Sequence, residues 1–140
     1  MLTELEKNAI RDHYRALSEN LPNFRPRTAQ REMIAAIANA FSRTQTQKEG
    51  EETPKREGES IVVIEGPTGV GKSLAYLLAG GIMAQTRGKR LIVSSATVAL
   101  QEQLVGRDLP FVVEKSGLEL SFAIAKGRGN GRGWRFFRVR

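Results

Sequence analysis

The chain has 140 residues, 40% hydrophobic and 26% charged, which suits one modest globular domain. It contains no cysteine, which excludes a disulfide framework, a zinc-thiolate site, a cysteine nucleophile and a thiolate-held iron–sulfur cluster. The net charge of +7 sits at one end: Lys126, Arg128, Arg132, Arg135, Arg138 and Arg140 are unaccompanied by acid, whereas residues 1–125 carry 16 basic against 15 acidic side chains.

Thr3 to Ser18 is expected to be a helix. Thr3 and Glu6 have capping-box spacing, and Leu5, Ala9, Ile10, Tyr14 and Leu17 recur at helical intervals. Leu21 to Pro26 is a loop interrupted by two prolines. A second helix is predicted from Thr28 to Phe41, with Met33, Ile34, Ile37, Ala40 and Phe41 on one side. Residues 42–59 are polar and nearly devoid of apolar side chains, the composition of a flexible linker. Ser60 to Glu65 is a continuous β-branched run, expected as a strand buried on both faces. A helix from Lys72 to Gln85, a strand over Arg90–Ser95, a helix from Thr97 interrupted near Pro110, and a strand over Leu118–Ala125 follow. This alternation predicts an α/β fold: a three-stranded parallel sheet core with flanking helices and an N-terminal helical segment. The expected organisation is residues 1–41 as N-terminal helices, 42–59 as linker, 60–126 as the α/β portion and 127–140 as a basic Gly/Arg/aromatic tail.

Gly66-Pro67-Thr68-Gly69-Val70-Gly71-Lys72-Ser73 matches G-x-x-x-x-G-K-[ST] in full, between a predicted strand and a predicted helix. The residue types suit a triphosphate. A helix N-terminus offers free N–H groups and a positive dipole end, and glycines let the backbone curl around an anion. Lys72 supplies a point charge at the β- and γ-phosphates, and the Ser73 hydroxyl is a ligand for Mg²⁺. A nucleoside triphosphate with Mg²⁺ is therefore the expected ligand, with a glycine-rich strand-to-helix turn as the bland alternative. His13, the single histidine, has no partner cluster and reads as a surface or boundary side chain.

Ahead of this loop, Phe24-Arg25-Pro26-Arg27-Thr28-Ala29-Gln30 resembles the Q motif of superfamily-2 helicases. Glu65 to Leu77 and Leu91-Ile92-Val93-Ser94-Ser95-Ala96-Thr97-Val98-Ala99-Leu100-Gln101-Glu102-Gln103-Leu104 extend the likeness to the DinG branch of the iron–sulfur, XPD-like helicases, over residues 4–129. The resemblance implies a partial RecA-like motor domain of an ATP-dependent DNA helicase. It implies that Gln30 reads adenine with help from Arg27, and that Ser95, Thr97 and Gln101 contact single-stranded DNA. Helix capping is the competing reading of Ser95 and Thr97.

The family's Tyr-x-Cys is missing after Gly129, and its acidic metal-binding box and second motor domain are not found, so no complete catalytic set is expected. The likeness thus points to an N-terminal helicase fragment that binds ATP–Mg²⁺ with little hydrolysis or unwinding alone. A small non-catalytic ATP- or nucleic-acid-binding module acting through its tail is the alternative. For the tail itself, nucleic-acid binding, membrane association and an out-of-frame ending stay open, the last favoured by the abrupt loss of likeness. No apolar run approaches the roughly 18 residues that cross a bilayer. The acidic start lacks a secretion-signal core, so no membrane partner and a cytoplasmic location are expected.

Overall fold

The structure is a computed structural model that describes residues 1–44, 60–126 and 135–139. The predicted linker 42–59 and tail 127–140 therefore lie largely outside the described residues. Helix α1 spans Glu4–Glu19, α2 Thr28–Ser42, α3 Lys72–Thr86, α4 Val98–Gln103 and α5 Leu109–Ser116. A π-helical turn, Leu104–Asp108, joins α4 to α5. Strands are β1 Leu91–Ser94, β2 Phe122–Lys126 and β3 Arg135–Val139.

The first helix starts as its sequence dictates. Thr3 accepts from the Glu6 amide at 3.2 Å while the Glu6 carboxylate accepts from the Thr3 amide at 2.8 Å, the reciprocal capping box. Its inner face differs from the periodic expectation at one end. Leu17 is fully buried and Ala9, Ile10 and Tyr14 pack on the core, but Leu5 is 72% exposed and Glu6 is buried in its stead. The Glu6 carboxylate is held 2.6 Å from Arg87 Nε at the end of α3. That ion pair draws this side of the helix inward.

The third helix is the centre of the molecule. Ala75, Leu77, Leu78, Ala79, Ile82, Met83 and Ala84 are all buried, so it is enclosed on every side rather than amphipathic. Met33, Ile34 and Ile37 from α2 and Leu109 and Val112 from α5 complete this core. Gly80 lets β1 approach closely: a Cβ there would lie 2.8 Å from a Leu91 methyl.

The sheet departs from the prediction in partners and direction. Its order is β1-β3-β2, and β3 pairs antiparallel with both neighbours, Leu91↔Val139 and Phe122↔Val139 marking the registers. β1 and β2 run the same way but are separated by β3, so they do not form the expected parallel pair. Ser60–Glu65 forms no strand: Ile61 is 76% and Val63 92% exposed. β-Branched composition favours a pleated surface only where a neighbouring strand supplies hydrogen bonds and packing. Among the described residues, no strand pairs with this run. The third predicted strand starts later than expected, because Leu118 is spent as a buried plug after the left-handed Gly117 that ends α5.

Candidate nucleotide-binding site

The Gly66–Ser73 loop sits on the N-terminal end of α3 and is anchored by Val70, whose side chain is buried in the core. Gly69 and Gly71 take left-handed conformations, φ 79° and 83°, and Gly71 is the N-cap of α3. No side chain caps this helix. Among the described residues, no backbone amide from Gly69 to Leu74 donates a hydrogen bond. Uncapped N–H groups following left-handed glycines are the ingredients of an anion-binding nest. The Lys72 ammonium folds back to donate to the carbonyls of Gly66 at 2.6 Å and Pro67 at 3.2 Å. An incoming anion would compete with those two carbonyls for it.

The upstream motif meets this loop in space. Arg27, at the N-cap of α2, donates to the Gly69 carbonyl. Gln30, one turn into α2 and 3% exposed, directs its Nε2 to the carbonyls of Val70 and Gly71, both at 3.4 Å. A Cβ on Gly71 would lie 2.2 Å from that nitrogen, so glycine is needed there for close approach as well as for its positive φ. Phe24 supports the approach, its ring meeting Tyr14 edge-on with centroids 5.9 Å apart. The structure thus brings together Arg27, Gln30 and Gly66–Ser73. It also spends part of the Gln30 amide on the loop itself.

Beside the loop lies a cleft of about 550 Å³, lined on one side by Thr68, Lys72 and Ser73 and on the other by Arg107, Asp108 and Phe111. Sequence reasoning missed this second wall. Asp108 precedes Leu109-Pro110 and looks locally like an ordinary helix start. The π-helical turn brings it to the cleft instead, where its carboxylate accepts from Gln103 at 3.2 Å. Tyr76 lies against the same corner. Burial raises its hydroxyl above the ordinary value, a hydrogen bond with Ser73 opposes that, and the Asp108 charge adds to it. Tyr14 was foreseen only as part of an apolar face, yet its hydroxyl donates to Gln30 Oε1 at 3.0 Å. Burial raises this hydroxyl too, against the nearby Arg31 charge, so it stays a protonated donor at neutral pH.

A Mg²⁺ ion brought in with a triphosphate fits the chemistry of this corner. Ser73 offers a hydroxyl, Asp108 a carboxylate, and no cluster of three or more His, Asp or Glu exists among the described residues. That sparse donor set suits an ion that keeps several waters and takes phosphate oxygens. The chain's lack of cysteine does not fit an iron–sulfur cluster.

The remaining expected contacts sit on the turn into α4. Thr97 is its N-cap, with the hydroxyl accepting from the Leu100 amide at 3.2 Å. Gln101 is 4% exposed, donates to the Ser95 carbonyl at 2.8 Å and leaves its Oε1 buried without a partner. These three residues therefore build one turn, with Thr97 in the capping role weighed above. His13 is half-buried, and its Nδ1–H donates to the Ser116 carbonyl at 2.8 Å, pinning α1 to the end of α5.

Comparison with known proteins finds curated relatives over most of the chain. Over 128 residues, 91% of the chain, it is 42% identical to the ATP-dependent DNA helicase DinG of Photobacterium profundum, and 43% to that of Escherichia coli strain K12. The chain is homologous to part of DinG. The enzyme of Salmonella typhimurium matches the same share of this chain at 42% identity. The chain spans about one sixth of the length of these DinG relatives. No family model matches it. Among the described residues, no helix is long and apolar enough to cross a membrane.

Proposed function

We propose that this chain is the nucleotide-entry portion of a DinG-type ATP-dependent DNA helicase, which binds ATP with Mg²⁺ and neither hydrolyses it efficiently nor unwinds DNA by itself. One observation carries the reading. Two motifs 36 residues apart, Gln30 and Gly66–Ser73, meet through direct side-chain-to-backbone contact at an uncapped helix N-terminus. A structural glycine turn has no need of that convergence.

In this reading the amides of Gly69 to Ser73 receive the phosphates, with the positive end of α3 behind them. Lys72 leaves the Gly66 and Pro67 carbonyls for the β- and γ-phosphates. Arg27 holds the crown of the loop through Gly69, and Gln30 reads the base. Ser73 and Asp108 are the residues that would hold Mg²⁺, which neutralises phosphate charge when bound. Efficient phosphoryl transfer also needs an oriented water and a cation on the transferring group. Asp108 is the one carboxylate lining the cleft among the described residues, which supports binding with slow turnover. Ser95 and Thr97 would face a single-stranded DNA backbone in the same motor, with Gln101 buried beneath them and holding the turn through the Ser95 carbonyl.

The test is binding of fluorescent ATP with and without Mg²⁺. Lys72→Ala should weaken it at least tenfold, the loss of one charge-assisted contact. Equal affinity in the variant would defeat the assignment.

A further inference from the structure

We propose that strand β3 is an autoinhibitory plug: it fills the sheet position that the Ser60–Glu65 run is built to take, and its release admits that run and opens the phosphate loop. The coupling to nucleotide rests on the ATP-binding reading just given; the competition between the two segments does not. The backbone defines the slot. β1 and β2 point the same way and leave room for one strand between them, and β3 fills it antiparallel to both, from Leu91↔Val139 to Ser94↔Phe136 and from Phe122↔Val139 to Lys126↔Arg135. A place between two parallel strands suits a continuous apolar run. Ser60-Ile61-Val62-Val63-Ile64-Glu65 is such a run, whereas Arg135-Phe136-Phe137-Arg138-Val139 puts two arginines at central register positions. Yet Ile61 and Val63 are largely exposed, and among the described residues no strand pairs with them.

Direction and length fit the exchange. The left-handed Gly88 turns the chain between α3 and β1, and Leu91 packs on Gly80, so β1 runs back along α3 toward the phosphate loop. A strand parallel to β1 in the slot therefore ends at the level of Ser94 and Lys126, the side on which the loop begins. Phosphate loops are in general fed by a strand. The resting loop follows from the strand's absence. Lys72 is held by the carbonyls of Gly66 and Pro67, the two residues directly after the run. Drawing Ser60–Glu65 into the sheet moves those carbonyls with it and frees the ammonium for an anion. Nucleotide binding and strand entry then favour each other, and β3 opposes both, because linked equilibria are reciprocal.

The experiment uses the full chain, with backbone hydrogen exchange read at residues 61–64 and 135–139 and affinity read with fluorescent ATP. Without nucleotide, β3 should be protected and residues 61–64 should exchange as unpaired chain. Saturating ATP–Mg²⁺ should reverse that order. Phe137→Pro puts proline in a central strand, where it is not tolerated. In this variant exchange at 61–64 should slow at least about tenfold, and ATP should bind at least about threefold tighter. Adding Val62→Pro should abolish both gains. The chain has no cysteine, so Ile92→Cys with Arg138→Cys, at partner positions of β1 and β3, gives one defined disulfide that locks the plug in. ATP should bind at least about tenfold more weakly to the oxidised than to the reduced form. Fast exchange at 61–64 in Phe137→Pro, with the core helices still protected, overturns the competition for the slot. Equal affinity in the oxidised and reduced forms overturns the coupling to the loop. If the proline variant loses all protection, the disulfide pair decides. If the reduced chain binds no ATP, the nucleotide reading fails, and exchange at 61–64 still decides which segment can hold the slot.

Discussion

Replacing Gly71 and Gly69 separately by alanine tests how tightly α2 is locked to the loop. Both glycines are left-handed, φ 83° and 79°, so each alanine pays the backbone cost of that conformation, about 1–2 kcal/mol. The positions differ in their surroundings. A Cβ on Gly69 meets nothing within 4 Å, whereas one on Gly71 would lie 2.2 Å from Gln30 Nε2 and 3.4 Å from its Cδ. Gln30 is buried and bonded at both ends, so moving it strands polar groups, at about 1–3 kcal/mol. Gly69→Ala should therefore cost about 1–2 kcal/mol and Gly71→Ala about 2–5 kcal/mol. Urea unfolding of each variant, repeated in a Gln30→Ala background, isolates the difference. There, Gly71→Ala should fall to the Gly69→Ala value, since the clashing side chain is gone. Equal costs for the two glycines in the parent chain would refute the packing argument. So would a Gly71→Ala cost that persists without Gln30.

Two further tests address the frame around the site. The Arg87 hydrogen bond holds the Glu6 carboxyl below its ordinary value, with burial opposing it. A carboxyl depressed in the folded state binds its proton more weakly there than in the unfolded chain. The pair's stabilisation is therefore full above the unfolded pKa and is lost as pH falls through the lower folded value. Glu6→Gln should cost about 1.5–3 kcal/mol at pH 7 by thermal or urea unfolding, and the gap should begin to narrow as pH falls below the ordinary Glu value of about 4.3. A gap independent of pH would show that charge is not what ties α1 to α3. Gly80→Val inserts side-chain atoms where the Leu91 methyls already sit within 2.9 Å of a Cβ. It should destabilise by about 1–3 kcal/mol. Leu91→Ala in the same chain should recover part of that loss, and strictly additive costs would count against the close contact.

The sequence by itself determined whatever depends on near neighbours along the chain. The Thr3–Glu6 box sets the start of α1, helical spacing places α2 and α3 within a residue or two, and the loop's glycines mark a tight turn at the head of a helix. Each depends on hydrogen bonds or side-chain registers spanning a few residues, so each is written locally. Homology to DinG was legible for the same reason, in runs of consecutive residues. Tertiary structure alone decided the rest. Sheet pairing is a contest among distant segments. Ser60–Glu65 has strand composition and no partner, while Arg135–Val139 takes the central position. Glu6 displaced Leu5 from the interior because Arg87, far along the chain, arrived as its counter-charge. Tyr14 reads in the sequence as one residue of an apolar helical face and Asp108 carries no local signal, and a hydroxyl's partner or a carboxylate's cleft exists only once the helices have packed.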